Sequence, residues 1–356
     1  MQFATYAEFD QYDASGNIIN KTYGNGVATQ YTYSPIGQLT GIDINKNDST
    51  YHQVRYNWNQ IGQIESITDL ANDQNSQSYN YDKIGRLIEA NGPFGKERYS
   101  YDRSGNRIMH NDVSYLYDGY QAILGSTEEN DSIFTARYDA SGNMIRRTLE
   151  DEELELNYDG NNQLLSVLND NKNILRFAYD YQGSRILKFD SLRNILTLNL
   201  FGLYEITQYG SDSISHTKYI PGVEGNLAAV THTMSFTNAQ VVNDSIYFGN
   251  PTDGILYFHQ SRSQSTSLTT DQNGDVSTIM SYYPFGEVYR KQTFGPNNFR
   301  AKFNGKELDI GSGLYYFNAR YYDPVVSRFV SADTRPGGGF SNNDIFNQYA
   351  FAVNTL

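Results

Sequence analysis

The sequence predicts an all-β protein of stacked hairpins, and three observations carry that prediction. A Tyr-Asp unit recurs along the chain at a spacing that drifts around roughly 20 to 25 residues, which suits a strand-turn-strand repeat. Tyr (31) and Phe (19) supply nearly all the aromatic residues of the 356-residue chain, and the positions between them are polar, the alternation of a strand with one aromatic face. Helical periodicity is absent except at 340–354, FSNNDIFNQYAFAVN, where a short helix is expected.

The repeat is clearest in YSPIGQL (33–39), WNQIGQI (58–64), YDKIGRL (81–87) and YDRSGNR (101–107), with weaker copies at Tyr117-Asp118, Tyr138-Asp139, Tyr158-Asp159 and Tyr179-Asp180. Each copy makes sense as a hairpin. The rings of Tyr99 and Tyr101 fall on one face because successive side chains alternate along a strand. Asp102 can open the turn by offering its carboxylate to backbone amides, and Gly105 can take the positive φ that closes it. Stacking such units lays rows of Tyr across neighbouring strands and gives a long, twisted sheet with an aromatic stripe.

From about Asp190 to Ala301 the repeat loosens. Tyr204–Thr207 and His216–Ile220 read as strands, Pro221-Gly222 and Glu224-Gly225-Asn226 as turns, and Leu227–Val230 as the next strand. The run Asp271–Asp275 has some flavour of a calcium loop, but the twelfth-position glutamate is missing and turn aspartates are far commoner. Tyr282–Glu287 makes a Pro-Phe-Gly corner.

Chemistry concentrates in Gly313–Thr334, where Arg320, Asp323 and Asp333 lie among aromatics. Two acids brought together by a strand reversal can share one proton, with an arginine holding the ionised partner, the make-up of an aspartyl hydrolytic site. The other reading is structural: Asp323 opens an Asp-Pro turn and Asp333 ends a strand. Spacing alone leaves both open.

Composition excludes several classes. A net charge of −13 and no basic cluster argue against nucleic acid as a partner. Without cysteine there is no disulfide framework or thiolate metal site, and five scattered histidines lack metal-ligand spacing, so neither metal nor cofactor is expected. No segment approaches the apolar length of a membrane helix, and MQFATYAEFD has no signal-peptide pattern. No nucleophile elbow or second acid pair supports a free-standing hydrolase.

The Tyr-Asp units resemble the YD repeats of the RHS (rearrangement hotspot) family, and 259–287 is similar to the stretch leading into that family's core. FNGKELD (303–309), GLYY (313–316), ARYYDP (319–324), Arg328-Phe329 and Ser331-Ala332-Asp333 together resemble the RHS repeat-associated core domain, a highly specific motif, whereas isolated Tyr-Asp pairs are weak. The resemblance implies a YD-repeat array at 1–190, degenerate shell repeats at 191–300 and a truncated core domain at 301–356. It implies a sheet wound into part of a hollow shell, plugged at one end by the core, around a C-terminal toxin or effector. By the same resemblance the core is an aspartyl autoprotease acting on its own C-terminal tail, with Arg320, Asp323 and Asp333 as its site. Asp333 is followed by Thr334 where many relatives have proline, and the cleavage element and effector are not in the sequence, so the chain is expected to be the shell-side part of a longer bacterial polypeptide that is secreted or at the cell surface. Other shell chains are the remaining expected partners. The alternative is an adhesion or carbohydrate-binding module that meets cell-surface glycans with exposed aromatic rings.

Overall fold

The computed structural model describes residues 5–119, 121–129, 131–236, 240–242, 245–247, 252–295, 299–333 and 347–351. Within them, 26 strands form one sheet in chain order, from Ala7–Tyr12 to Val288–Thr293, each antiparallel to the next. The sheet crosses residue 190 without interruption, and its first and last strands are not paired with each other. A separate two-strand hairpin, Gln240–Val242 with Ser245–Tyr247, lies outside it.

The repeat turn has one geometry throughout. At Asp82, Oδ1 accepts the amides of Ile84 (3.0 Å) and Arg86 (2.9 Å), while the Gly85 amide donates to Asp82 O at 3.0 Å with φ at 89°. Asp102 and Gly105 repeat it, as expected. So does Asp271, whose carboxylate takes the amides of Asn273 and Asp275; its run is a turn of the repeat. Pro221-Gly222 differs from expectation. It lies inside strand Ser213–Gly222 at a register shift after Ile220, an irregularity where a missing N–H is tolerated, and Val223-Glu224 makes the single turn.

Successive repeats are tied by their tyrosines. The hydroxyls of five repeat tyrosines donate to the carbonyl of an inward-facing residue one repeat earlier: Tyr33 to Ile18, Tyr81 to Ile64, Tyr101 to Leu87, Tyr117 to Arg107 and Tyr179 to Leu164, at 2.7–3.0 Å. Trp58 does the same with its indole N–H, to Leu39 O at 2.8 Å. The accepting residue always stands six positions after its own repeat's aromatic. There the chain carries buried Ile18, Ile64, Leu87, Ile123, Met144 and Leu164, and, out of pattern, Arg107 and Arg185.

The sheet curls so that late strands cover early ones. Tyr23 donates to Phe258 O, Tyr51 to Gly274 O (3.0 Å), and Lys21 pairs with Glu224 (2.9 Å); Leu268 and Phe285 complete the apolar core of residues 18–99. After Phe299 the chain turns into this concave side as a four-stranded sheet, Glu307–Asp309, Leu314–Tyr316, Tyr321–Asp323 and Arg328–Phe329. One face buries Leu314, Tyr321, Val326 and Val330 against Ile123, Phe134, Leu156 and Phe177 of the wall. The opposite side is anchored by Tyr315 donating to Gly286 O and Tyr322 to Phe285 O. Of the segment expected to be helical, only 347–351 falls within the described residues; there it is a turn, with Ala350 bridged to Arg328.

Ion pairs lock this terminal sheet to the wall. Arg185, 4% exposed at its side chain, pairs with Asp309 and with Glu307 (2.8 Å), and Lys188 pairs with both acids. Burial alone raises the Glu307 carboxyl, but Lys188 and Arg185 overcome it and hold the group well below the usual carboxylate range.

Three measurements test these contacts. Gly85→Val, forcing a β-branched residue into positive φ, lowers the unfolding free energy by on the order of 1 kcal/mol or more and with it the denaturation midpoint; an unchanged midpoint contradicts the turn geometry. Arg185→Ala leaves Lys188 alone to balance both Asp309 and Glu307 in a dry site and costs about 3 kcal/mol, with earlier proteolysis in 301–333 than in the wall. Because Glu307 is depressed in the folded state, the stabilisation from its pairing is complete above a pH of roughly 4.3, its unfolded value, and fades as pH falls from there through the folded value. The acid limb of a stability-pH curve is therefore shallower in Glu307→Gln.

Candidate functional site

The residues singled out at the carboxy terminus are all in the terminal sheet, but they are distributed over two environments. Asp323 ends strand Tyr321–Asp323 and opens the turn to Arg328, its backbone partner across the hairpin. Its Oδ1 accepts the Val325 amide at 3.0 Å, so the turn role is realised. Its side chain is fully buried, and Oδ2 faces Arg147 Nε of the wall at 3.2 Å. Neither of those two atoms makes an aligned hydrogen bond, so the pair meets as charges and Oδ2 keeps an open acceptor position.

Asp333 lies ten residues on, at the mouth of the same domain. Its side chain is 47% exposed and pairs with Arg320 Nη2 at 3.3 Å. Arg320 also donates to Gln348 O at 3.0 Å and lies 3.8 Å above the Phe329 ring, which fixes its direction. Burial lowers the Arg320 guanidinium, partly offset by Asp333. The structure thus brings Arg320 and Asp333 together and gives Asp323 a different cation, Arg147. One carboxylate is dry and the other wet.

The wall contributes residues that spacing did not reveal. Arg107 donates to Ser327 Oγ at 2.7 Å and to Val325 O at 3.3 Å, holding the turn that follows Asp323. Arg147 donates to Ser312 O at 3.0 Å besides facing Asp323. Glu287, on the Pro-Phe-Gly corner, has its carboxyl pushed up by partial burial and then by Asp323 and Glu97 nearby. A signal existed for the arginines. Arg107 occupies an inward register position where the neighbouring repeats carry Leu87 and Ile123, and Arg147 one where the next repeat carries Val167; a cation there needs a partner from another layer.

Ser331 bridges to Asn143 of the wall and the Met144 amide donates to Val330 O, so the terminal sheet is stitched to the wall's rim beside Asp333. A half-open cavity of about 300 Å3 lies between the early strands and the returning ones, lined by Tyr56, Tyr79, Arg262, Tyr282 and Phe303. Among the described residues no group of three or more His, Asp or Glu side chains is arranged to hold a metal, and no helix is long and apolar enough to cross a membrane.

Comparison with known proteins places this geometry. The teneurin YD-shell family model matches residues 12–201. Toxin subunit YenC2 of Yersinia entomophaga is 24% identical over 90% of this chain and 39% of its own length. The tRNA3(Ser)-specific nuclease WapA of Bacillus spizizenii is 24% identical over 96% of the chain and 11% of its length, and the double-stranded DNA deaminase toxin A of Burkholderia cenocepacia 26% over 92% and 24%. Among solved structures, the crystal structure of TcdB2-TccC3-TEV superposes with a TM-score of 0.76 at 21% identity, over 97% of this chain and 18% of that one. The chain thus spans well under half of each of these relatives. With its tyrosine-tied hairpins, open antiparallel wall and inserted terminal sheet, it belongs to the teneurin YD-shell family of RHS/YD-repeat shell proteins.

Proposed function

We propose that this chain is the wall-and-plug section of a secreted shell that encloses a C-terminal toxin or effector, and that its terminal domain is an aspartyl autoprotease releasing that cargo. The observation that carries the reading is Asp323, a fully buried carboxylate with an open acceptor position, set on the concave side of a tyrosine-lined wall. Buried rings such as Tyr31, Tyr56, Tyr79 and Tyr99 face the interior, as a container requires; an adhesion ladder would expose them. A 300 Å3 cavity accommodates a few side chains and no folded domain, so the container reading needs further wall from the rest of the protein or from other shell chains.

In the proposed reaction one carboxylate takes a proton from water as its oxygen attacks the scissile carbonyl carbon. The other hands a proton to the leaving amide nitrogen as the C–N bond breaks. Arg320 aims the exposed Asp333 toward chain that follows it, and Arg147 and Arg107 fix Asp323 and its turn. The two carboxylates come into register only around the threaded tail, which makes cleavage specific to the chain's own terminus.

The test uses the natural precursor, extended beyond Leu356. It self-cleaves on purification, whereas Asp323→Asn and Asp333→Asn slow processing by roughly 100-fold or more and unrelated peptides stay uncut. Normal processing in both variants, or an intact wild-type precursor, removes the protease assignment.

A further inference from the structure

The wall strand Arg185–Asp190 and the strand Glu307–Asp309 of the terminal sheet meet through side chains whose arrangement goes beyond an ion pair. Glu307 and Asp309 alternate along one strand, so both project to the same face, where Lys188 meets them. The Lys188 Nζ stands 3.0 Å from Asp309 Oδ1 and also touches Glu307 Oε1. The other oxygen, Asp309 Oδ2, is held by Arg185.

Pairing alone does not need this set. Lys21, buried elsewhere in the wall, meets a single carboxylate, Glu224, which also accepts the Tyr31 hydroxyl. Among the described residues no other lysine has two carboxylates within ion-pair distance. The group is also shielded: the Asp309 side chain is fully buried, Glu307 is 14% and Lys188 18% exposed, and the rings of Phe177, Tyr316 and Tyr321 surround Arg185. Both strands are fixed by their own ladders, Glu307 opposite Tyr316, Asp309 opposite Leu314 and Lys188 opposite Thr197.

A primary amine, a carboxyl carbon within its reach and a second carboxylate to carry protons are the parts of an amide condensation. In water that reaction runs backwards, because the separate ions are well hydrated. Held in contact on fixed strands, the two groups react at an effective concentration on the order of 10⁵–10⁸ M, and the hydration that favours separate ions is already lost on burial. Burial is the largest influence on both Lys188 and Glu307 and drives each toward its neutral form, against the attraction of the opposite charges around it.

We propose that Lys188 and Asp309 join in an isopeptide bond that fastens the terminal sheet to the wall, with Glu307 as proton carrier and Arg185 as the donor that polarises the reacting carboxyl. Two of the three ammonium protons pass through Glu307 to Asp309 Oδ1. After the first transfer the Nζ lone pair attacks Cγ, and the C–N bond forms as an electron pair moves onto Oδ2 beside Arg185. After the second the Cγ–Oδ1 bond breaks, C=Oδ2 re-forms and water leaves. Its outlet is a half-open cavity of about 620 Å3 that Lys188 and Glu307 line. Nothing else is consumed, and Glu307 ends as a carboxylate still paired with Arg185 at 2.8 Å. The product leaves no polar atom bare, since the new amide N–H faces Glu307 and its oxygen keeps Arg185. The bond is independent of whether the terminal domain cuts its own tail. The ion pairs of the fold are the state from which it closes, and the state in which Arg185→Ala remains.

Denaturing mass spectrometry of the purified chain tests it. The mass falls short of the sequence by one water, trypsin no longer cuts after Lys188, and the digest contains 186–193 joined to 307–320 through Lys188 and Asp309. Lys188→Arg and Glu307→Gln have the full mass, yield no joined peptide and run more slowly on a denaturing gel than the wild type, whose loop is closed. A wild-type chain of full mass overturns the inference, whatever the variants do. So does a missing water that persists in Lys188→Arg, which would place the loss at another residue. Wild-type yield of the joined peptide in Glu307→Gln overturns it as well, since nothing would then carry the protons.

Discussion

The structure depends above all on one short bond, from the aromatic of most repeats to a backbone carbonyl of the repeat before it. A buried carbonyl at the turn end of a strand has lost water and needs a donor, and the tyrosine brings one on a ring that also fills the concave face. Each such bond contributes about 1 kcal/mol net, and leaving the carbonyl bare would cost more. The chemistry tolerates a change of ring so long as the donor remains, as Trp58 shows. At Tyr158 the ladder falters: its hydroxyl is buried without a partner, beside the point where the terminal sheet is stitched to the wall at Asn143 and Met144.

Because that ladder makes every repeat equivalent, departures from it carry information. The inward position six residues after the aromatic is apolar in most repeats, and the position nine after it carries Ile42, Ile67, Ala90 and Val167 in four of them. Where they are Lys21, Arg107, Arg147, Arg185 and Lys188, another layer arrives: Glu224 for the first, the terminal sheet for the others. A cation on a dry face is costly alone, so these positions fix where the returning chain must land and in what register. They confer specificity of docking more than stability, since an apolar face could bury the same area.

The same layer sets the chemistry of the terminal domain. Asp323 is shielded by the wall that supplies Arg147, whereas Asp333 sits at the edge with Arg320. The proposed site is thus divided between a dry and a wet carboxylate and differs from a symmetric dyad.

The sequence by itself determined the hairpin repeat, its turns and its aromatic face, because these depend on contacts within a few residues: Asp82 on its own turn amides, Gly85 on its own φ. It also carried the terminal motif, and with it Arg320, Asp323 and Asp333. Only the tertiary structure decided which cation each acid meets. Arg147 and Asp323 are far apart in the chain and adjacent only because the sheet curves, and the curvature sums small twists over many strands that no local window contains. The Pro221 irregularity belongs with them, since a strand's neighbours can override the turn preference that its own residues express.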